Sequence, residues 1–221
     1  MSDSARNAIF KAIEESTPEP PASDAEILQQ AQALLADPDS VRPSRSTDDV
    51  VDAFMNRVNG PKVAAKCTRI RNLKDLPDCV ASILSQRSTN LAITLQPDQQ
   101  LSALNWAEAG INMDSDLDDG AAVTMALWGV AETGSVVVHS GEHSPILMHF
   151  LPAVSIVAVP ASHLLWHLED YAFAARQTGN KIPRNACLIT GASGTTDIEG
   201  SLVTGAHGPG ELHIVVVDSA S

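Results

Sequence analysis

Cysteine is scarce in this chain of 221 residues, and its three copies stand far apart. Cys67, Cys79 and Cys187 form no Cys-x-x-Cys pair, and three thiolates cannot supply the four ligands of a ferredoxin-type cluster or a four-cysteine zinc site. An odd number of separated cysteines also makes a poor disulfide framework. We therefore expect reduced thiols, a cytoplasmic location and no metal site. The residues identify no particular cofactor.

Basic residues are also few. Lys and Arg number 14 against 27 Asp and Glu, which gives a formal net charge of −13. Proteins that bind nucleic acid use clustered Lys and Arg to neutralise phosphates, so we expect no nucleic-acid partner. Long apolar runs are missing as well: the longest apolar stretch, residues 145–161, is interrupted by Pro152 and Pro160 and contains His149. It therefore does not predict a membrane span.

The hydrophobic patterns divide the chain into an N-terminal helical arm with its linker, residues 1–45, and an α/β domain, residues 46–221. The arm contains predicted helices at 3–15 and 24–36, the second capped by Asp24, around a proline-rich linker at 17–23. Strands are predicted in the domain at 62–67, 91–95, 111–113, 135–139, 155–159, 186–189 and 212–217. Helices are predicted at 47–59, 73–87, 101–109, 121–130, 145–150 and 162–177. This alternation favours a mostly parallel sheet with helices on both faces.

A loop rich in Gly, Ser and Thr, residues 191–199, follows the predicted strand 186–189. Ligands of open α/β sheets bind at the carboxyl ends of strands, and small residues leave backbone N–H groups free to face an anion. The candidate ligand-binding residues here are Ser193, Thr195, Thr196, Asp197 and Glu199. The loop is neither a Walker A loop nor a nucleophile elbow, since no Lys follows and Gly194 comes directly after Ser193. A helix capped by Thr195 or Thr196, with both carboxylates in its first turn, explains the same residues slightly better.

Glu132 precedes the predicted strand 135–139 and is flanked by Thr133 and Gly134. A desolvated Glu can act as a general base or a nucleophile, so Glu132 is the candidate catalytic residue, and Thr133 and Gly134 are candidates for ligand binding. His139 or His207 could meet Glu132 across the strand ends. The alternative is that Glu132 only caps or pairs at a turn.

A second loop, residues 205–210, contributes His207 and Gly208 as further ligand-binding candidates. We expect the segment before residue 140 and the segment after residue 190 to end side by side, on one edge of the parallel sheet. His163 and His167 are four residues apart on a predicted helix, which suits a metal, but Leu164 stands where the metalloprotease motif needs Glu.

Four motifs resemble those of the lactate-utilisation protein C family, whose members are also called LUD-domain proteins. They are Ala-Glu-Thr-Gly-Ser at 131–135, Val-Ala-Val-Pro-Ala-Ser at 157–162, Ser193 with Thr-Asp-Ile-Glu at 196–199, and Gly-Ala-His-Gly-Pro at 205–209. The resemblance extends over roughly residues 50–218 and is most specific over 130–218. The segment before Ala121 departs from it, being short and Asp-rich where relatives tend to have a clearer strand.

The resemblance implies a fold like that shared by glucosamine-6-phosphate deaminase, ribose-5-phosphate isomerase and CoA transferases. It also implies a non-iron–sulfur subunit or accessory protein of an L-lactate oxidation system, with iron–sulfur subunits as partners. Two alternatives stay open. One is a transferase or ligase-like enzyme for a CoA- or phosphate-bearing molecule, with Glu132 as the reactive carboxylate and the loop at 191–196 holding the anionic small molecule. The other is a regulatory module that binds a small molecule.

Overall fold

The computed structural model describes residues 3–16, 23–37, 42–45, 47–87, 91–114, 117, 120–177, 183–196 and 200–219. The chain divides into two compact units, Met1–Pro43 and Ser44–Ser221. None of the helices in the described ranges is long and apolar enough to cross a membrane.

The first unit contains two helices, α1 (Asp3–Ser16) and α2 (Asp24–Ala36). Asp24 was predicted to cap α2, but the cap is Ser23, whose extended backbone precedes the helix and whose hydroxyl accepts from the N–H of Glu26. The Glu26 carboxylate in turn accepts from the N–H of Ser23, so each residue satisfies a donor of the other. The predicted linker at 17–22 lies outside the described residues.

The second unit contains the remaining helices and all the strands of the described residues. The α-helices are α3 (Val50–Val58), α4 (Leu76–Ser85), α5 (Gln99–Ser102) and α6 (Leu168–Gln177), and short 3-10 helices lie at Leu73–Asp75, Ile146–His149 and Ala161–His163. The strands are β1 (Lys66–Asn72), β2 (Ile93–Leu95), β3 (Ala121–Met125), β4 (Trp128–Val130), β5 (Ser135–His139), β6 (Val154–Pro160), β7 (Leu164–Leu165), β8 (Ala186–Ile189), β9 (Gly194–Thr196), β10 (Leu202–Thr204) and β11 (Glu211–Ser219).

The central sheet has the strand order β1-β11-β6-β3-β2, and all its pairings are parallel. Its middle strands β6 and β11 are near-continuous apolar runs, buried from Val154 to Val159 and from Leu212 to Val217. Such runs are typical of strands that are covered on both faces. The prediction of a mostly parallel sheet in an α/β protein is confirmed.

Both faces of this sheet pack against helices. Ile156 and Val215 point to the face where they cluster with Leu76 and Val80 of α4. Their neighbours in sequence point to the opposite face and cluster with Phe54 of α3. Helices therefore lie on both faces, and a second sheet adds to the cover on the α3 side.

The second sheet has the order β7-β4-β5-β8 and is mostly antiparallel. It corrects the predicted helix at 121–130, which is two strands, one in each sheet. A short run of apolar residues without alternation fits a buried strand as well as a buried helix, and here the pairing partners decide. In β3, Val123 pairs with Ile156, and in β4, Trp128 pairs with Val137.

Four other predicted elements were wrong in extent. The predicted helix at 162–177 is a 3-10 turn, the short strand β7 and then α6, which begins only at Leu168. The predicted strand 62–67 begins at Lys66 instead. The helix expected at 101–109 is only the short α5, which ends at Ser102. The indole N–H of the buried Trp106 donates to the carbonyl of Leu101 in its last turn at 2.8 Å. The strand expected at 111–113 is a single bridge to Ala92.

Candidate functional site

A cavity of about 240 Å³ lies beside the central sheet, between the amino ends of β6 and β11 and the loop after β8. Its described lining comes from His149 and Phe150, from Ser155 in β6, and from residues of the segments 188–193 and 207–212. The loop was expected at the carboxyl end of a strand of the parallel sheet. It does follow the carboxyl end of β8, but β8 belongs to the second sheet, so the cavity faces the amino ends of the central strands.

The inner end of the cavity is polar and buried. His149 is 0% exposed, and its Nδ1 lies 3.2 Å from Oγ1 of Thr124. Thr124 in β3 pairs with Val157, which shares a face of the sheet with Ser155 two residues earlier. Within the described part of the chain, neither Nε2 of His149 nor Oγ of Ser155 has a hydrogen-bond partner. Burial lowers the pKa of His149 from 6.5 to about 4, so its imidazole is neutral at neutral pH.

The two predicted loops meet at the cavity. Three of the candidate ligand-binding residues, Ser193, His207 and Gly208, line it. The backbone joins the loops, because Ser193 donates its N–H to the carbonyl of Pro209 at 2.8 Å and accepts from the N–H of Gly205 at 2.9 Å. A Cβ at Gly208 would lie 3.2 Å from Cβ of Ser193, so a residue without a side chain permits this close approach.

The rest of the loop differs from its prediction. Thr195 and Thr196 belong to β9, which pairs antiparallel with Val203 and Leu202 of β10. The helix that they were predicted to cap would begin at residues 197–199, which lie outside the described ranges, and neither Thr195 nor Thr196 is among the described residues that line the cavity. The carboxylates predicted to share this loop, Asp197 and Glu199, lie outside the described residues.

Glu132 lies in a different polar cluster. Its Oε2 accepts from the N–H of Leu168 at 3.1 Å and lies 3.5 Å from Nδ1 of the buried His167. Its own N–H donates to the carbonyl of Trp166 at 3.0 Å. Glu132 therefore caps the start of α6, which agrees with the alternative that it caps or pairs at a turn. It is not among the described residues that line the cavity.

The histidines are also distributed differently from their predictions. His163 lies in a 3-10 helix and His167 precedes α6, so the two do not share a helix face. His139 donates to or accepts from the Tyr171 hydroxyl at 2.8 Å rather than meeting Glu132.

A chain of hydroxyls links the Glu132 turn to the cavity. The Ser135 hydroxyl donates to Oγ1 of Thr133 at 2.7 Å and lies 2.5 Å from Oγ1 of Thr190, which lines the cavity. Gly134 has φ +72° in this turn. The segments before residue 140 and after residue 190 are thus neighbours. Their strands β5 and β8 pair antiparallel in the second sheet, however, and not on an edge of the parallel sheet as predicted.

Sequence reasoning missed the residues at the inner end, His149, Ser155 and Thr124. The available signal was a histidine in the apolar stretch 145–161, followed by one serine inside an otherwise apolar strand. The sequence pattern predicts a helix at 145–150 and a strand at 155–159 in this stretch, but it does not indicate that the two polar residues share a site.

Metal binding has no support from the described residues, which contain no group of three His, Cys, Asp or Glu able to hold an ion. The thiol of Cys67 is buried in β1, and burial raises its pKa to about 12. A thiol of this kind is a poor ligand, because metals bind the thiolate.

Comparison with known proteins places the chain in a family. The sequence model of the LUD domain matches residues 61–217. Lactate utilization protein C of Geobacillus kaustophilus is 32% identical over 126 residues, which is 55% of this chain and 52% of that protein. Its namesake in Bacillus velezensis is 28% identical over 127 residues, 55% of this chain and 53% of that protein. The matches to these two curated relatives thus span about half their length.

The fold has a counterpart among solved structures. A crystal structure of a DUF162 family protein from Deinococcus radiodurans superposes with a TM-score of 0.52 at 19% identity, over 80% of this chain and 99% of that one. It supports the α/β fold, while the relation to the sugar-phosphate isomerase and CoA transferase fold stays a prediction. With a family match over most of its length, the chain belongs to the LUD domain family.

Proposed function

We propose that this protein serves in lactate utilisation, as a subunit or accessory protein without an iron–sulfur cluster. The observation that carries the proposal is the shared name of its relatives, several of which are called Lactate utilization protein C. These relatives are 28–32% identical to the chain.

The cysteines support a role beside, rather than as, the iron–sulfur component. Oxidation of lactate to pyruvate removes two electrons, which need an acceptor. The three cysteines are too few for a four-cysteine cluster, and those at positions 67 and 79 have thiol pKa values raised by burial. We therefore assign the acceptor to iron–sulfur partner proteins in the cytoplasm.

Deletion of the gene tests the role. We expect the deletion strain to lose growth on L-lactate as sole carbon source and to keep growth on glucose, with a plasmid copy restoring the loss. Unimpaired growth on L-lactate would contradict the proposal.

Purification of the tagged chain from lactate-grown cells tests the partners. We expect proteins that contain iron and acid-labile sulfide to copurify, and to be absent from a mock purification. A chain that elutes alone from cells growing on lactate would contradict the partner assignment, while leaving the role to the deletion experiment.

The cavity favours a second candidate over the transferase alternative: a module that binds a small molecule and regulates the system. A transferase that uses Glu132 needs this carboxylate beside the ligand, whereas Glu132 contacts the N–H of Leu168 and is not among the cavity residues described. We expect a Glu132→Gln variant to complement the deletion strain. Loss of complementation by this variant, with its fold intact, would revive the transferase.

A further inference from the structure

The inner end of the cavity holds two polar atoms that the described protein does not satisfy. Nε2 of His149 and Oγ of Ser155 are buried, with their residues 0% and 1% exposed, and both residues line the cavity. Buried polar groups in folded proteins almost always have partners, so each exception needs a physical explanation. A molecule bound in the cavity would supply the missing partners.

The position of these two residues is fixed by the fold. Ser155 is the second residue of β6 and pairs with Ala122 and Leu212 on the flanking strands. The His149 ring is held through Nδ1 by the fully buried Thr124 hydroxyl, which leaves Nε2 as its free nitrogen. Ser155 is thus presented by a central strand of the sheet, and His149, at the end of the 3-10 helix Ile146–His149, is held against β3 by its contact with Thr124.

The cavity changes in character from its entrance to its inner end. Leu188 and Phe150 are 40% and 37% exposed at the outer side, whereas Leu212 is 2% exposed and His149 is fully buried. A ligand would therefore pass Leu188, Phe150 and the exposed His207 before it reaches the buried polar atoms. This arrangement, an apolar wall with a few placed polar groups, is typical of small-molecule sites.

The electrostatics of the lining restrict the class of ligand. None of the described lining residues is Lys, Arg, Asp or Glu. An ionised carboxylate or phosphate at the inner end would lose its hydration without gaining an opposite charge. The pKa of His149, lowered by burial, keeps the imidazole uncharged at neutral pH. The anion expected from the sequence thus finds neither Lys nor Arg in the described lining.

The chemistry of the two atoms defines the group that they recognise. The Ser155 hydroxyl both donates and accepts, and a neutral imidazole nitrogen does one or the other according to its tautomer. A ligand hydroxyl or primary amide also offers both a donor and an acceptor, so it can satisfy the pair with either tautomer. A carbonyl does so when Nε2 carries the proton.

We propose that this cavity binds a small uncharged molecule, or the uncharged end of a larger one, through a hydroxyl, carbonyl or amide that contacts His149 and Ser155. The site is a property of the fold and does not depend on the role in lactate utilisation. The outer loops, with Ser193 and His207, border the ligand rather than anchor it.

A pair of probes with nearly the same shape and different charge tests the proposal: L-lactamide and L-lactate. Titration of the full chain at pH 7.5, followed by the imidazole NMR signals of His149, reports both binding and its place. We expect L-lactamide, with its six heavy atoms, to bind with a Kd of roughly millimolar order and to move the His149 signals. We expect L-lactate to bind at least about tenfold more weakly, since its carboxylate would be desolvated without a partner.

Two variants locate the site. Ser155→Ala removes one anchor with little change of volume, and we expect it to weaken L-lactamide binding about tenfold, the loss of one buried hydrogen bond. His149→Phe removes the other and should abolish binding, which in this variant is followed by saturation transfer from the protein to the L-lactamide methyl signal. Ser85→Ala and His163→Gln change exposed residues of the same types outside the cavity and should leave the Kd unchanged. If His149→Phe fails to fold, Ser155→Ala with the His149 signals still decides.

Three outcomes would overturn the proposal. One is tighter binding of L-lactate than of L-lactamide. Another is unchanged L-lactamide affinity in Ser155→Ala. The third is that L-lactamide, isobutyramide and 2-propanol all leave the His149 signals unmoved, which would mean that the cavity holds water only. Each of these results is independent of growth on L-lactate, so the binding site and the proposed function fail or stand separately.

Discussion

Glu132 and His149 are polar residues of the same compact unit, yet their surroundings differ. The Glu132 side chain is 24% exposed, accepts a backbone N–H at the start of α6 and faces the ring of His167. The His149 side chain is fully buried and lines the cavity, its Nδ1 lies beside Thr124, and its Nε2 has no hydrogen-bond partner among the described residues. Glu132 is the residue that the sequence marks as a candidate, whereas His149 has an unpartnered ring nitrogen that lines the cavity in the described structure.

The difference shows that a charged side chain can be fully engaged within the fold, whereas an uncharged one can have an atom available to a ligand. A carboxylate at a helix N-terminus stabilises the helix by bonding its free N–H groups and by its interaction with the helix dipole. This structural role accounts for Glu132 without any ligand. No comparable structural role accounts for a buried imidazole nitrogen and a buried hydroxyl without partners, so the cavity is the stronger candidate site.

The largest effect that sharpens this comparison is the acid sensitivity due to His149. Its pKa is about 4 in the folded protein against 6.5 in the unfolded chain. At pH values between 4 and 6.5, His149 is therefore mostly protonated in the unfolded chain and mostly neutral in the folded protein. His149 therefore costs no stability above pH 6.5 and destabilises the fold progressively as the pH falls, by about 3 kcal/mol near pH 4.

Chemical denaturation of the wild type and of His149→Phe between pH 7.5 and 4 measures this contribution. We expect the wild type to lose more stability than the variant over this window, and His163→Gln to follow the wild type. Parallel pH profiles for the wild type and His149→Phe would show that His149 is not a buried neutral residue.

The next effect compares a glycine at each site. Gly191 borders the cavity with φ +89°, and a Cβ there would lie 3.0 Å from the backbone nitrogen of Ala64. This backbone is held, because Ala192 donates to the carbonyl of Ala64 at 2.7 Å. Gly134, in the Glu132 turn, has φ +72°, and its Cβ would lie 2.8 Å from Cγ of Arg57, a side chain that can move.

We therefore expect Gly191→Ala to destabilise the protein by about 2 kcal/mol and Gly134→Ala by about 1 kcal/mol, as measured by urea denaturation. The positive φ contributes to both losses, and the immobile neighbour adds to the first. Equal losses, or a larger loss at Gly134, would show that the loop at the cavity is less rigid than its backbone bonds indicate.

The central sheet was largely predictable because its strands carry their own signal. The runs 155–159 and 212–217 are apolar without alternation, and both are strands of the parallel sheet. The run 121–130 has the same character but was assigned to a helix. Its pairing with β6 on one side and with β5 on the other decides its structure, and such long-range pairing has no local pattern.

The candidate site was predictable in part for a similar reason. Ser193, His207 and Gly208 stand in Gly-rich loops, which mark close approaches of the backbone, and the cavity brings them together. Their role in ligand binding stays a prediction, as do those of Thr133, Thr195 and the other loop residues. His149 and Ser155 gave no such signal, because no local sequence pattern shows that a residue will be buried beside a cavity.

A smaller effect is expected at Glu132 itself. Glu132→Ala leaves the N–H of Leu168 without its acceptor and should cost about 1 kcal/mol of stability, whereas Glu132→Gln keeps an acceptor and should cost less than about half of that. Thermal denaturation of the two variants measures the difference. If both variants fail to restore growth of the deletion strain on L-lactate at unchanged stability, Glu132 has a role beyond capping α6.

The smallest effect is expected at Ser193, and it distinguishes the entrance of the cavity from its inner end. The backbone of Ser193 makes both bonds that join the two loops, so Ser193→Ala should change the free energy of unfolding by less than about 0.5 kcal/mol. If the inner end anchors the ligand, the same variant should also keep the L-lactamide affinity of the wild type, in contrast to Ser155→Ala. A loss of affinity in Ser193→Ala with none in Ser155→Ala would move the anchor to the loops, where the sequence motifs first suggested it, and would reverse the order of importance argued from burial.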